Sequence, residues 1–191
     1  MCENSLDLGK EGIIFENWKK IIGEKEMPEI ADQLKENDLA PDFILTASNG
    51  DEVSLSEFQD KPLVLFFYPK NDAPEDVKLV CDFRDHFEEF IKLGTRILGI
   101  SVETLDSHTK FITKYHIPFL LLCDTDMKAS RRYGVFKPRT LNGIKVWGIE
   151  RTTFIIDEKS KIRKIFPNPE LTSHAEDVLR FIRENITPRE S

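Results

Sequence analysis

A chain of 191 residues, 40% hydrophobic and 32% charged, has the size and composition of one globular domain with room for an appendage. No apolar run approaches the roughly 18 residues of a membrane helix, and the opening MCENSLDLGKEG lacks a basic-then-apolar leader, so the expected setting is the cytoplasm. Most of the net charge of −7 lies in residues 1 to 38, where five lysines face ten acids, and an acidic surface argues against nucleic acid as a partner.

Residues 1–34 carry Ile14, Trp18 and Ile21, then Met27, Ile30, Ala31 and Leu34, at helical spacing around Gly23 and Pro28. They predict a helical extension that packs on the main domain, residues 35–191, or on a partner. APDFILTASNGDEVSLSEF alternates on both sides of Asn-Gly and predicts a β-hairpin. Leu63 to Tyr68 is a continuous apolar run, expected of a central strand buried on both faces. One helix is predicted over 74–92, ending at Gly94. TRILGISV is a second buried strand, and Asp106 is placed to cap a helix presenting Leu105, His108, Phe111, Ile112 and Tyr115. IPFLLLCD follows as a strand, then a short helix over about 126–133 closed by Gly134. GIKVWG and RTTFIIDEKSKIRKIFP supply later strands, the second turning at DEKSK, and Ser173 with Glu176 forms a capping box opening the final helix. This order predicts an α/β fold, one central mixed sheet with helices on both faces.

The three cysteines, Cys2, Cys81 and Cys123, lack both a disulfide pattern and metal-ligand spacing. His86, His108, His116 and His174 lie far apart and are read as structural or exposed, so no metal or cofactor is expected.

With the order of elements, the segments NDLAPDFIL, LVLFFYPKND, CDFRD, YGVF and GIERTTFIID resemble the peroxiredoxins, specifically the peroxiredoxin Q group, or bacterioferritin comigratory proteins. The resemblance implies a thioredoxin fold with an N-terminal hairpin, and reduction of hydroperoxides with electrons from a thioredoxin-like donor. It leaves monomer or homodimer open. The family motif P-x-x-x-T-x-x-C falls on Pro69 to Asp76. Pro69 matches, Ala73 stands at the threonine, Glu75 at the small residue often found before the cysteine, and Asp76 at the peroxidatic cysteine. The family's arginine corresponds to Arg151, and the resolving cysteine of many members to Cys81.

Peroxide reduction of this type requires a sulfur nucleophile that becomes a sulfenic acid and is reduced again by a second thiol. A carboxylate cannot enter that cycle. A helix N-terminus beside Arg151 suits an anion, so Asp76 is expected to stay ionised and pair with Arg151. A surface residue at a helix start, unconnected with Arg151, is the competing expectation. Two functions follow: a degenerate peroxiredoxin serving an unidentified protein partner as a binding or regulatory module, or an atypical thiol peroxidase using Cys81. Val77, Val80 and Phe87 around Cys81 predict burial, as does the end of FLLLC for Cys123.

Overall fold

The structure, a computed structural model, describes residues 33–141 and 144–186. The helical extension expected over 1–34 lies almost wholly outside the described residues; Leu34, at its end, packs partly against the core.

The chain runs β1 (Ile44–Ala47), β2 (Glu52–Ser54), a 3-10 turn (Leu55–Phe58), β3 (Leu63–Phe67), α1 (Pro74–Asp85), α2 (Phe87–Lys92) and β4 (Arg96–Ser101). It continues with α3 (Leu105–Tyr115), β5 (Leu120–Cys123), α4 (Lys128–Arg132), β6 (Phe136–Leu141), β7 (Ile144–Ile149), β8 (Thr152–Ile156), β9 (Ile162–Pro167) and α5 (His174–Asn185). Seven strands form one sheet in the order β2-β1-β5-β4-β3-β8-β9, and β6 and β7 form a separate antiparallel pair. β3, β4 and β5 are parallel, while β8 and β1 join their two sides antiparallel. The sheet is therefore mixed, as its element order predicts.

The continuous apolar run of β3 is explained by burial on both sides. Leu63, Leu65 and Phe67 face a core containing Phe43, Ala129 and Tyr133. Val64, Phe66 and Tyr68 face a second core against Leu79, Val80 and Phe83 of α1, Phe90 of α2, Phe111 of α3 and Val178, Leu179 and Ile182 of α5. The helices are thus unevenly divided, with α4 alone on the first face. Gly99 in β4 lets the second core close: a Cβ there would lie 2.6 Å from the Phe66 ring and 2.7 Å from Leu121.

Local chemistry departs from the sequence expectations at several points. The hairpin turns through Ser48 to Gly50, but only Gly50 takes a positive φ, 91°; the amide of Gly50 donates to Ala47 O and that of Ala47 to Asp51 O, a three-residue loop with a bulge. The helix expected over 74–92 is two helices, because His86 leaves helical geometry at φ −101° and ψ 6°. Thr104, not Asp106, caps α3, its hydroxyl accepting from the Ser107 amide at 3.3 Å. Ser173 makes no side-chain cap on α5; Asp82 of α1 instead accepts from the Ala175 amide at 2.8 Å, tying two helices together. The strand Phe136–Leu141 has no counterpart in the sequence reading. It pairs along its whole length with β7, so its order is supplied by its partner.

Candidate functional site

The candidate site lies where β3 ends and α1 begins. Tyr68 leaves the sheet still hydrogen-bonded to it, its amide donating to Ile100 O. Pro69 and Lys70 are half-buried, Asn71 is buried, and the chain turns through Asp72 and Ala73 into α1. Pro74 opens the helix, where its missing N–H costs nothing and its fixed φ is already helical. Asp76 therefore sits in the first turn, where amides without helical partners and the helix dipole favour an acid.

Arg151 occupies the short link between β7 and β8. Because β8 is the antiparallel neighbour of β3, with Thr152 opposite Phe67, the first residues after β7 stand beside the mouth of α1. Arg151 Nε donates to Asp76 Oδ1 at 2.5 Å, and Nη2 donates to Glu75 Oε2 at 3.2 Å. The Lys70 amide donates to the other oxygen, Asp76 Oδ2, at 3.1 Å. Both carboxylate oxygens thus have a donor, from elements on opposite sides in the chain. The Asp76 side chain is 0% exposed and that of Arg151 23% exposed. Of the two expectations for Asp76, the surface position is excluded and the pair with Arg151 is present.

The electrostatics are more divided than the sequence suggests. Burial pushes the Asp76 carboxyl above its usual range; the hydrogen bond and charge of Arg151, then the Lys70 amide, pull it back, and Glu75 adds a smaller upward push. The expectation of a simply favoured anion omits that burial cost, the largest influence on the group.

Among the described residues, neither cysteine is in an activating environment. Cys81 is half-buried rather than a core residue, and burial raises its thiol above the ordinary range, with Arg84 acting the other way. Cys123 is half-buried at the end of β5 and is likewise raised by burial. Deprotonation, which makes a thiol nucleophilic, is disfavoured at both. Ala73 places a methyl group at the N-cap of α1 and offers no side-chain hydrogen bond there.

A set of polar residues behind the loop escaped the sequence reading. Tyr68 Oη donates to Asn71 Oδ1 at 2.8 Å, and Asn71 Nδ2 lies 2.9 Å from Ser107 Oγ and 3.3 Å from His108 Nδ1. His108 Nε2 lies 3.3 Å from Leu122 O and 3.3 Å from Ser101 Oγ. His108 is fully buried and its pKa is lowered to about 4 by that burial, so the ring is neutral at neutral pH. Its sequence signal was its place on the apolar side of α3 with Phe111. The role of Glu75 as a second partner of Arg151 had no signal at all, since 76 residues separate them.

Among the described residues, no group of three or more His, Cys, Asp or Glu side chains could hold a metal ion, and no helix is long and apolar enough to cross a membrane.

The sequence profile of the AhpC/TSA family matches residues 37–165. Peroxiredoxin Bcp of Bacillus subtilis (strain 168) is 36% identical over 145 residues, covering 76% of this chain and 92% of that protein. Among solved structures, a Xanthomonas campestris peroxiredoxin Q aligns with a TM-score of 0.72 at 31% identity, covering 75% of this chain and 90% of the other. Peroxidoxin BcpB from Mycobacterium tuberculosis aligns with a TM-score of 0.72 at 30% identity, covering 80% and 99%. The mixed sheet is thus a thioredoxin fold of the peroxiredoxin type. The chain belongs to the AhpC/TSA family, among the proteins named peroxiredoxin Q or Bcp.

Proposed function

We propose that this chain is a peroxiredoxin Q-type scaffold that lacks the standard peroxidase cycle and acts as a binding or regulatory module toward a protein partner, a thioredoxin-like donor or another protein. The observation that carries this reading is the pairing of a fully buried Asp76 carboxylate with Arg151. The motif resemblance assigns Asp76 to the peroxidatic cysteine and Ala73 to the motif threonine. With the carboxylate closed off from solvent, no solute touches it unless Arg151 or the Lys70 loop moves. A thiolate reacts by attacking one peroxide oxygen, breaking the O–O bond and leaving a sulfenic acid that thiols can reduce. An aspartate oxygen has no corresponding oxidised state for a thiol donor to recycle, so position 76 carries no redox cycle in this reading.

A second reading is favoured by two observations: Cys81 is half-buried rather than sealed, and the relatives bear the name peroxiredoxin. In that reading Cys81 is the reactive sulfur of an atypical thiol peroxidase. Its raised pKa works against it, because the thiolate fraction at neutral pH falls below that of an ordinary cysteine.

Thioredoxin-coupled consumption of hydrogen peroxide by the reduced protein separates the two. The scaffold reading predicts the same background rate for the wild type and Cys81→Ser. Turnover in the wild type that Cys81→Ser abolishes would establish the peroxidase.

A further inference from the structure

The buried polar residues behind the loop form a chain of hydrogen bonds whose directions can be assigned. Leu122 O can only accept, so His108 Nε2 carries the proton and donates to it at 3.3 Å. In the neutral ring, Nδ1 is then an acceptor. The single proton of Tyr68 goes to Asn71 Oδ1 at 2.8 Å, which leaves the Asn71 amide to supply His108 Nδ1 at 3.3 Å. The second Asn71 amide proton meets Ser107 Oγ at 2.9 Å. Tyr68, Asn71 and His108 are all buried, and in this assignment each polar atom of the Asn71 side chain is engaged.

The chain connects Tyr68, the residue after β3, with α3 and β5 to the loop residue that directly follows Lys70. Burying this many polar atoms costs free energy unless every one is satisfied, and the satisfied arrangement leaves the loop one position. Lys70 is the loop's contribution to the site, through its amide on Asp76 Oδ2. We propose that Asn71 and His108 are positioning residues for position 76, holding the Lys70 amide against the side chain that occupies it. The inference rests on the reading of position 76 as the functional one. Neither residue touches Asp76; they act on it through the backbone of the loop.

The test is the exchange rate of the Lys70 amide hydrogen together with the titration of the Asp76 carboxyl, both followed by NMR in the full-length protein. Asn71→Ala and His108→Phe are expected to speed Lys70 exchange by about tenfold or more, since the closed loop is no longer the single arrangement. They should also raise the Asp76 pKa, because a donor to its ionised form is weakened. His108→Gln keeps one donor and one acceptor on a side chain of similar reach, and should restore both readouts toward wild type. His174→Phe alters a buried histidine whose partner is Thr153, at 2.8 Å, and should leave the Lys70 amide unchanged.

If Asn71→Ala does not fold, Tyr68→Phe removes only one hydroxyl and should give a smaller acceleration in the same direction. Folded Asn71→Ala or Tyr68→Phe protein with unaltered Lys70 exchange and Asp76 titration would overturn the proposal. So would His174→Phe accelerating Lys70 exchange as much as His108→Phe. Failure of the underlying reading looks different: Arg151→Leu would then leave the Asp76 titration in place whatever the loop variants do.

Discussion

Two aspartates, Asp76 in the first turn of α1 and Asp124 just after β5, are each fully buried, and burial raises both carboxyls above their usual range. Their partners differ. Asp124 is satisfied by nearby chain: Oδ1 accepts from the Ala129 amide at 3.1 Å, and Oδ2 from the Ser130 amide at 2.7 Å and the Ser130 hydroxyl at 2.6 Å. No cation faces it in these contacts, and the arrangement folds one turn of chain onto itself. Asp76 takes one local amide and one guanidinium from 75 residues away. The first is a fixture of local structure; the second exists only because the sheet brings β8 beside β3. An acid held by its own segment fixes local structure, whereas one held by a distant, partly exposed arginine ties together elements that the sheet brings side by side.

Removing Asp124 should have the largest effect on stability. Asp124→Ala strands two amides and a hydroxyl in a buried turn, and should lower stability by about 3 kcal/mol and Tm by about 10 °C, measured by urea and thermal unfolding. An effect below that of Arg151→Leu would reverse the ranking of the two regions.

Arg151→Leu should cost about 2 kcal/mol, less than a fully buried pair because the guanidinium is partly exposed, yet appreciable because Asp76 stays buried without its cation. The double variant Asp76→Leu with Arg151→Leu should return to within about 1 kcal/mol of the wild type, since two apolar groups replace the pair and no charge is stranded. A double variant with the full sum of both losses would show the two side chains to be independent.

The element order was readable in the sequence because burial has a pattern. The all-apolar β3, the hairpin around Asn-Gly and the DEKSK turn between β8 and β9 each bear a local signal matched by the structure, although the turn type at Asn-Gly differs. What was not readable depended on contacts between distant segments. The cap of α5 comes from Asp82 and not from its own Ser173, and β6 is ordered by β7. The apolar neighbours of Cys81 and Cys123 predict core positions, but both are only half-buried. At the site, the pairing of Asp76 with Arg151 was accessible through the family motif, whereas the Tyr68–Asn71–His108 chain has no short motif and becomes visible only when β3, α3 and β5 are assembled.

The pH dependence of stability adds a further contrast. His108 and His174 are buried, and each is lowered from 6.5 to about 4. The unfolded chain therefore takes up protons that the folded chain resists, so this contribution is complete above pH 6.5 and is lost as pH falls toward 4. Asp76 and Asp124 act in the opposite sense, since their raised values mean the folded state binds protons more readily than the unfolded one. Urea midpoints should decline across this window, and His174→Gln should flatten the decline; an unchanged slope would show that His174 does not contribute to it.

Glu75→Gln should have the smallest effect. Its carboxylate is 66% exposed and pairs with Arg151 at 3.2 Å, so the loss should not exceed about 0.5 kcal/mol and should shrink in high salt. A larger loss in urea unfolding would mean that Arg151 is held by Glu75 as much as by Asp76.

The proposed place of Asp76 at the family's reacting sulfur is tested most directly by comparing two purified proteins under identical thioredoxin-coupled conditions: the wild type and a variant with Cys2, Cys81 and Cys123 all changed to Ser. Both proteins should consume hydrogen peroxide at the same background rate. Sustained turnover by the wild type that the serine variant lacks would contradict that placement.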